Sequence, residues 1–196
     1  MKNKSVGILG GSFNPIHNDH IKIALESLKN RFIDEVWLIP NNLHPFDKNL
    51  ISIRKRINMI NIAIKPYQNI KICDIELNDN SFEKSYTVNT IKKLKQKYPD
   101  TTFYFILGSD NLNDLEKWFD FEYLKNNVEF IIYERGGYNI PEELLIKVKS
   151  IIRNNVSNIS STLIRKNLSQ GKSIKNLVSP DVEKYLHTEG LYQNEK

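Results

Sequence analysis

Apolar runs that alternate with segments of helical periodicity predict an α/β fold, a mostly parallel sheet of five or more strands doubly wound by helices on both faces. Two observations carry this. The runs are separated by helical segments of a dozen or so residues, the length a crossover between parallel strands requires. The chain also lacks an internal repeat, a low-complexity linker or a Gly/Ser-rich hinge, so residues 1–196 are expected to form one domain.

Val6, Ile8 and Leu9 form the first run, and Ile21, Ala24, Leu25, Leu28 and Phe32 then recur at steps of three and four, which return to one helix face. EVWLIP (35–40) reads as the second strand and 52–64 as the next helix. IKICDIEL (70–77) reads as a strand, and 87–98 as a helix that turns Val88, Ile91 and Leu94 inward. TTFYFIL (101–107) is followed by a helix over 112–125, and VEFIIYE (128–134) is the fifth strand. The last third reads as helical at 141–152, 162–170 and 180–188, so 141–196 is expected to be a helical C-terminal part. Ser160 or Ser161 can cap the second of these helices and Gly171 can end it. Ser179-Pro180 pairs an N-cap with proline at the first helical position, and Gly190 closes the third.

The single cysteine, Cys73, cannot form an internal disulfide, and no Cys-His cluster suggests structural zinc. The start of the chain lacks a long apolar signal region, which together points to a cytoplasmic location. No run approaches the roughly 20 apolar residues that span a bilayer, so no membrane partner is expected. The net charge of +5 favours anionic partners, but Lys and Arg are scattered through IKKLKQK, IRKRIN and IKVKSIIRNN. Without a basic block interleaved with aromatics, nucleic acid is not an expected partner.

The chemistry concentrates in GILGGSFNPIHNDH, residues 7–20. In a parallel sheet, ligands bind beyond the carboxyl ends of the strands, where helix N-termini present free N–H groups. Gly10, Gly11 and Ser12 fall at that end of the first strand. Glycines there let a ligand approach the backbone and allow positive φ, and a helix starting near Asn18 offers its positive dipole end. Phosphate is the natural ligand. The stretch has neither G-x-G-x-x-G nor the G-K-[ST] ending of a P-loop, so neither hydride transfer nor Walker-type binding is supported. His17 and His20, three apart, share one face of a first helical turn. As imidazolium groups they can donate to phosphate oxygens that gain charge in a transition state. An H-x-x-H pair can also hold a metal, but no third or fourth ligand lies nearby, and no protein-bound metal is expected.

GGSFNPIHNDH closely resembles the [ST]-F-x-P-[TH]-x-G-H signature of the nucleotidylyltransferase superfamily, and ISSTLIR (159–165) resembles its second signature, I-S-S-[ST]-x-[IV]-R. IPNN (39–42), SYTVNTI (85–91), GSDNLNDLEKW (108–118), ERGGY (134–138) and VEKYLHTEGLY (182–192) further resemble the bacterial nicotinate-nucleotide adenylyltransferases along nearly the whole chain. The resemblance implies a Rossmann-like fold and transfer of the adenylyl group of ATP to nicotinate mononucleotide, with release of pyrophosphate, in NAD biosynthesis. It also implies Mg²⁺ carried by the ATP, which fits the absence of a carboxylate cluster. In-line attack by a phosphate needs no Ser or Cys nucleophile, only positioning and charge neutralisation.

By the same resemblance, His17, His20 and Arg165 are catalytic, His20 being nearest the transferring group. ATP is implied to meet Gly10, Gly11, Ser12, Phe13, Gly108, Asp110, Ser160, Ser161 and Thr162 as well. Backbone amides at Tyr86 and Thr87 hold the nicotinate carboxylate, Trp118 stacks on the pyridine ring, and Asn41 and Arg135 reach the mononucleotide's phosphate. From the residues alone, Trp118 reads rather as a core residue of an amphipathic helix, and Asp110 can equally be a helix N-cap. The chain departs from the family twice. Asp19 stands where H-x-G-H has glycine, and its side chain is expected to point away from bound phosphates. After IPNN, Pro-Pro-His and a basic residue are replaced by LHPFDK (43–48), so no role is carried onto His44 or Lys48. Nicotinamide mononucleotide and phosphopantetheine are the rival acceptors, and a noncatalytic nucleotide- or RNA-binding module is the rival of another class. Association into a homo-oligomer stays open.

Overall fold

A computed structural model describes residues 3–42, 50–77, 85–153 and 159–193. Six strands form one sheet: β1 (Lys4–Gly11), β2 (Glu35–Pro40), β3 (Ile70–Ile72), β4 (Thr101–Gly108), β5 (Glu129–Tyr133) and β6 (Lys147–Ile152). Their order is β3-β2-β1-β4-β5-β6, and every neighbouring pair is parallel. The chain therefore runs outward from β1 in one direction and restarts from β4 in the other. The crevice beyond the carboxyl ends of β1 and β4, where this direction reverses, is where such sheets take ligands.

Because side chains alternate across a strand, each strand supplies both faces of the sheet. Leu9, Val36, Leu38, Tyr104, Ile106 and Ile131 belong to one core, packed under α1 (Asn18–Leu28), α2 (Ile53–Ile64), α5 (Ser161–Ser169) and α6 (Pro180–Thr188). Ile8, Trp37, Ile39, Phe103, Phe105 and Phe130 belong to the other, packed under α3 (Thr87–Lys97) and α4 (Phe121–Asn127). Each fully buried Leu or Ile adds roughly 1.5–3 kcal/mol of transfer free energy, so the two layers hold the strand ends in register. Punctuation works locally as expected: Ser160 Oγ accepts from Leu163 N, Ser179 Oγ accepts from Val182 N, and Gly171 and Gly190 take positive φ.

Three elements differ from expectation. Residues 141–152 are not a helix, and the C-terminal part is not wholly helical, because 147–152 is the edge strand β6. Lys147 and Lys149 face outward while Val148 and Ser150 turn inward, a period of two that outweighs the looser helical spacing of the apolar residues. The strand expected over 70–77 pairs with β2 only through Ile72. After Cys73 N donates to Leu38 O the chain turns, with Leu77 N bonded to Asp74 O. The helix expected over 112–125 is split into a 3-10 helix, Ser109–Lys117, and α4, with Asp120 between them in the left-handed region (φ 53, ψ 48). Loop 43–48, with His44 and Lys48, lies outside the described residues.

Candidate active site

The site begins where β1 ends. Gly10 and Gly11 pair with Ile39 and Pro40 of β2, and the chain then turns sharply into α1. Neither glycine has positive φ. The left-handed residue of the turn is Phe13, at φ 44 and 1% exposed, so the expectation of positive φ at the glycines is corrected. Their role is close approach: a Cβ on Gly11 would lie 3.3 Å from the Phe13 ring, already tighter than ordinary contact.

His17 is the N-cap of α1 and His20 its third residue. Helical geometry stacks their rings, with centroids 3.7 Å apart and planes 29° from parallel. His17 N donates to His20 Nδ1 at 3.2 Å, which leaves Nε2 to carry the proton of the neutral His20 ring. Burial, then the charge of Arg135, lowers the His17 pKa to about 3. Burial, His17 and Arg135 in that order hold His20 well below its usual value. Both rings are therefore neutral at physiological pH, which corrects the expectation of imidazolium groups: a stacked, buried pair beside a guanidinium cannot hold two protons. His17 Nδ1 is buried and has no hydrogen-bond partner among the described residues.

The opposite wall comes from β4 and β5. Arg135 Nη1 pairs with Asp110 Oδ2 at 3.0 Å, Asn111 Nδ2 donates to Asp110 Oδ1, and Arg135 N donates to Ser109 Oγ. Gly108 makes room for this pair, since a Cβ there would lie 2.3 Å from Asp110 Oδ1 and 3.1 Å from Arg135 Cδ. The third side is the start of α3. Tyr86 is its N-cap and Thr87 its first residue; Asn89 N and Thr90 N donate to Tyr86 O, so the N–H groups of Thr87 and Val88 are those that precede the intrahelical ladder.

These parts enclose one cavity of about 430 Å³. Gly10, Gly11, His17, His20, Gly108 and Asp110 line it, and so do Asn41, Tyr86, Thr87, Trp118 and Arg135. Trp118 follows the 3-10 helix as its C-cap, so it is not a core residue of an amphipathic helix; it is half-buried, its ring meets Phe105 edge-on at 6.2 Å at the margin of the core, and it lines the cavity. Ser12, Phe13, Ser160, Ser161, Thr162 and Arg165 are not on this wall. The second motif instead grips the turn of the first. Ser161 Oγ donates to Pro15 O at 2.9 Å and Arg165 Nη1 to Asn14 O at 2.8 Å. Tyr192 adds a hydrogen bond from its hydroxyl to Asn14 Oδ1 at 2.6 Å. Thr162 is exposed beside Arg165 Nη2 at 3.5 Å. Asp19 is buried at 6% exposure off the cavity wall. The Tyr133 phenol is pushed up by burial first and by the Asp19 charge second.

Sequence reasoning missed several wall residues. Glu76 reaches the wall because β3 ends early, and its Oε1 accepts from Thr90 Oγ1 at 2.6 Å. Burial raises the Glu76 carboxyl above its usual range, against the hydrogen bonds it accepts. Phe119, 56% exposed, lies over Tyr86 with ring centroids 4.8 Å apart. Neither has a motif around it. Arg56 is different: it is 1% exposed, and its spacing to Met59, Ile60 and Ala63 places it on the inner face of α2, a signal the sequence did carry. Among the described residues no group of three or more His, Cys, Asp or Glu side chains could hold a metal ion, and no helix is long and apolar enough to cross a membrane.

Residues 8–167 match the cytidylyltransferase-like family. A relative from Shouchella clausii (strain KSM-K16), named "Probable nicotinate-nucleotide adenylyltransferase", is 36% identical over 191 residues, covering 96% of this chain and 97% of its own. The solved structure of the Plasmodium falciparum nicotinic acid mononucleotide adenylyltransferase complexed with NaAD superposes with a TM-score of 0.86. The two are 30% identical, with 98% of each chain covered. The same Plasmodium enzyme complexed with APC gives a TM-score of 0.84 at 29% identity, again over 98% of each chain. Two motifs distant in sequence meet at one turn, the cavity sits where the sheet order reverses, and the likeness spans nearly the full chain: this protein belongs to the cytidylyltransferase-like family and, within it, to the nicotinate-nucleotide adenylyltransferases.

Proposed function

We propose that the chain transfers the adenylyl group of ATP to nicotinate mononucleotide, giving nicotinate adenine dinucleotide and pyrophosphate. The observation that carries this reading is the single cavity that joins His17 and His20, at the end of β1, to Tyr86 and Thr87, at the start of α3. A phosphate oxygen of the mononucleotide attacks the α-phosphorus of ATP, a new P–O bond forms in line with the breaking α–β bridge, and pyrophosphate leaves. Both reactants carry negative charge, so the site has to orient and neutralise them.

The neutral His20 donates Nε2–H to the α-phosphate, and His17 lies stacked behind it. Gly10 and Gly11 let the nucleotide approach the end of β1. Arg165, Ser161 and Thr162, with Ser160 capping their helix, hold the Asn14–Pro15 turn and present the start of α5 to the phosphates, alongside Ser12 and Phe13. Asp110 and Gly108 receive the ATP ribose at the end of β4. The nicotinate carboxylate sits on the free N–H groups of α3, a favourable place for an anion. Trp118 stacks on the ring, and Asn41 and Arg135 meet the mononucleotide's phosphate. Mg²⁺ bound to the triphosphate would supply further charge neutralisation there. The reaction needs an ATP-rich compartment, which the cytoplasm supplies.

The test supplies ATP and Mg²⁺ with nicotinate mononucleotide, nicotinamide mononucleotide or phosphopantetheine, and follows pyrophosphate and product. The expected kcat/KM for the nicotinate form is at least about tenfold above the amide. Equal rates, or a preference for the amide, overturn the assignment of the carboxylate to α3. No turnover on any mononucleotide overturns the reaction itself.

A further inference from the structure

Arg56 is among the most buried side chains of the molecule, and all three kinds of nitrogen in its guanidinium go to main-chain carbonyls. Nη1 donates to Ser12 O at 2.8 Å, Nη2 to Asn41 O at 2.8 Å, and Nε to Ile51 O at 3.3 Å. Those carbonyls belong to two connections: Ser12 to the turn after β1, and Asn41 and Ile51 to the start and the end of the stretch that joins β2 to α2. Burying a guanidinium is costly unless its donors are satisfied in fixed geometry. This one is satisfied only when the turn of Gly10–Phe13 and the loop of Asn41 hold one relative placement.

We infer that Arg56 is a positioning residue that sets the distance between the two reacting phosphates, one held past β1 and the other near Asn41. The inference rests on the reaction proposed above. A rigid planar fork can bond three carbonyls in fixed directions, whereas an ammonium group on a flexible stem cannot reproduce that span. Reacting atoms held about 1 Å out of line can lose on the order of 100-fold in rate. The loss belongs to the step that needs both substrates aligned, whereas each substrate alone still finds its own loop.

The test is steady-state kinetics on wild type, R56K and R56Q, at a temperature where circular dichroism shows each variant folded, with calorimetric binding of ATP and of nicotinate mononucleotide singly. Expected for both variants is a kcat about 10- to 100-fold lower, with each single-substrate Kd within about threefold of wild type. A kcat within threefold of wild type, or a kcat loss matched by equal losses in both Kd values, overturns the inference. If neither variant folds, amide hydrogen exchange on the wild type decides. ATP alone is expected to slow exchange at Asn42, whose peptide carbonyl partner is bonded to Arg56, and protection confined to residues 10–20 overturns the coupling. Wild type without turnover would refute the reaction, while an active wild type with active variants would refute only Arg56.

Discussion

Lowering the pH should unfold this protein through its stacked histidine pair, and His17→Asn should remove much of that sensitivity. His17 titrates near 6.5 in an unfolded chain but at about 3 in the fold, because burial and then Arg135 disfavour its charged form. Between those values the unfolded chain binds a proton that the folded chain refuses. Stability is thus fully present above about pH 6.5 and lost as the pH falls toward 3. Each unit of pH in that window is worth about 1.4 kcal/mol, so a shift from pH 7.5 to pH 5.0 costs about 2 kcal/mol through His17. Asparagine keeps the N-cap of α1 and has no proton to gain. Its introduction also removes one of the groups that hold down His20, so the difference between the two proteins is expected to be 2 kcal/mol or more. Urea unfolding followed by circular dichroism at both pH values measures it, with NMR titration of the histidine Cε1–H signals as a direct check. Equal losses in the two proteins, or a His17 midpoint near 6.5, would refute the account of a desolvated pair.

Two further substitutions probe the walls of the cavity. Trp118→Ala should raise KM for the mononucleotide roughly 5- to 100-fold, the range expected for ~1–3 kcal/mol of ring stacking. KM for ATP should stay within about threefold and Trp118→Phe should recover most of the loss, whereas equal rises in both KM values would show that Trp118 acts only through the core. Gly108→Ala places a methyl group where Asp110 Oδ1 now lies, only 2.3 Å from the new carbon, and so breaks the 3.0 Å pair with Arg135. A fall in kcat/KM of at least about tenfold with little change in Tm is expected, and unchanged kinetics would remove Asp110 and Arg135 from the working site.

Local chemistry was legible where short-range periodicity or a cap sets the structure. The alternation in β1, β2, β4 and β5 and the i, i+3, i+4 faces of α1, α2 and α3 are dictated by neighbours along the chain, and so are Ser179 with Pro180 at the start of α6. The misread segments are those where local signals compete. In 141–152 a loose helical spacing of the apolar residues competes with the period of two over 147–152, and pairing along the edge of β5 goes with the strand. At Asp120 the helical pattern runs on, but the backbone turns left-handed and the helix breaks. The histidine pair was legible as a pair, whereas its charge was not, because a pKa follows from what surrounds the rings in space.

By its own order of residues the chain determined six things about its chemistry: two glycines at a strand end, two histidines at a helix start, and an Arg and a Ser in a second, distant motif. Only the tertiary structure decided that β1 lies between β2 and β4, which opens the crevice beside Gly10. It alone brought Arg165 and Ser161 onto the Asn14–Pro15 turn, turned Asp19 off the cavity wall, and sealed Arg56 under two loops. Periodicity and capping act over a few residues, within reach of any sequence window. Sheet order, burial and the pairing of buried charges depend on residues brought together by the fold from far along the chain, and the catalytic geometry is built from those.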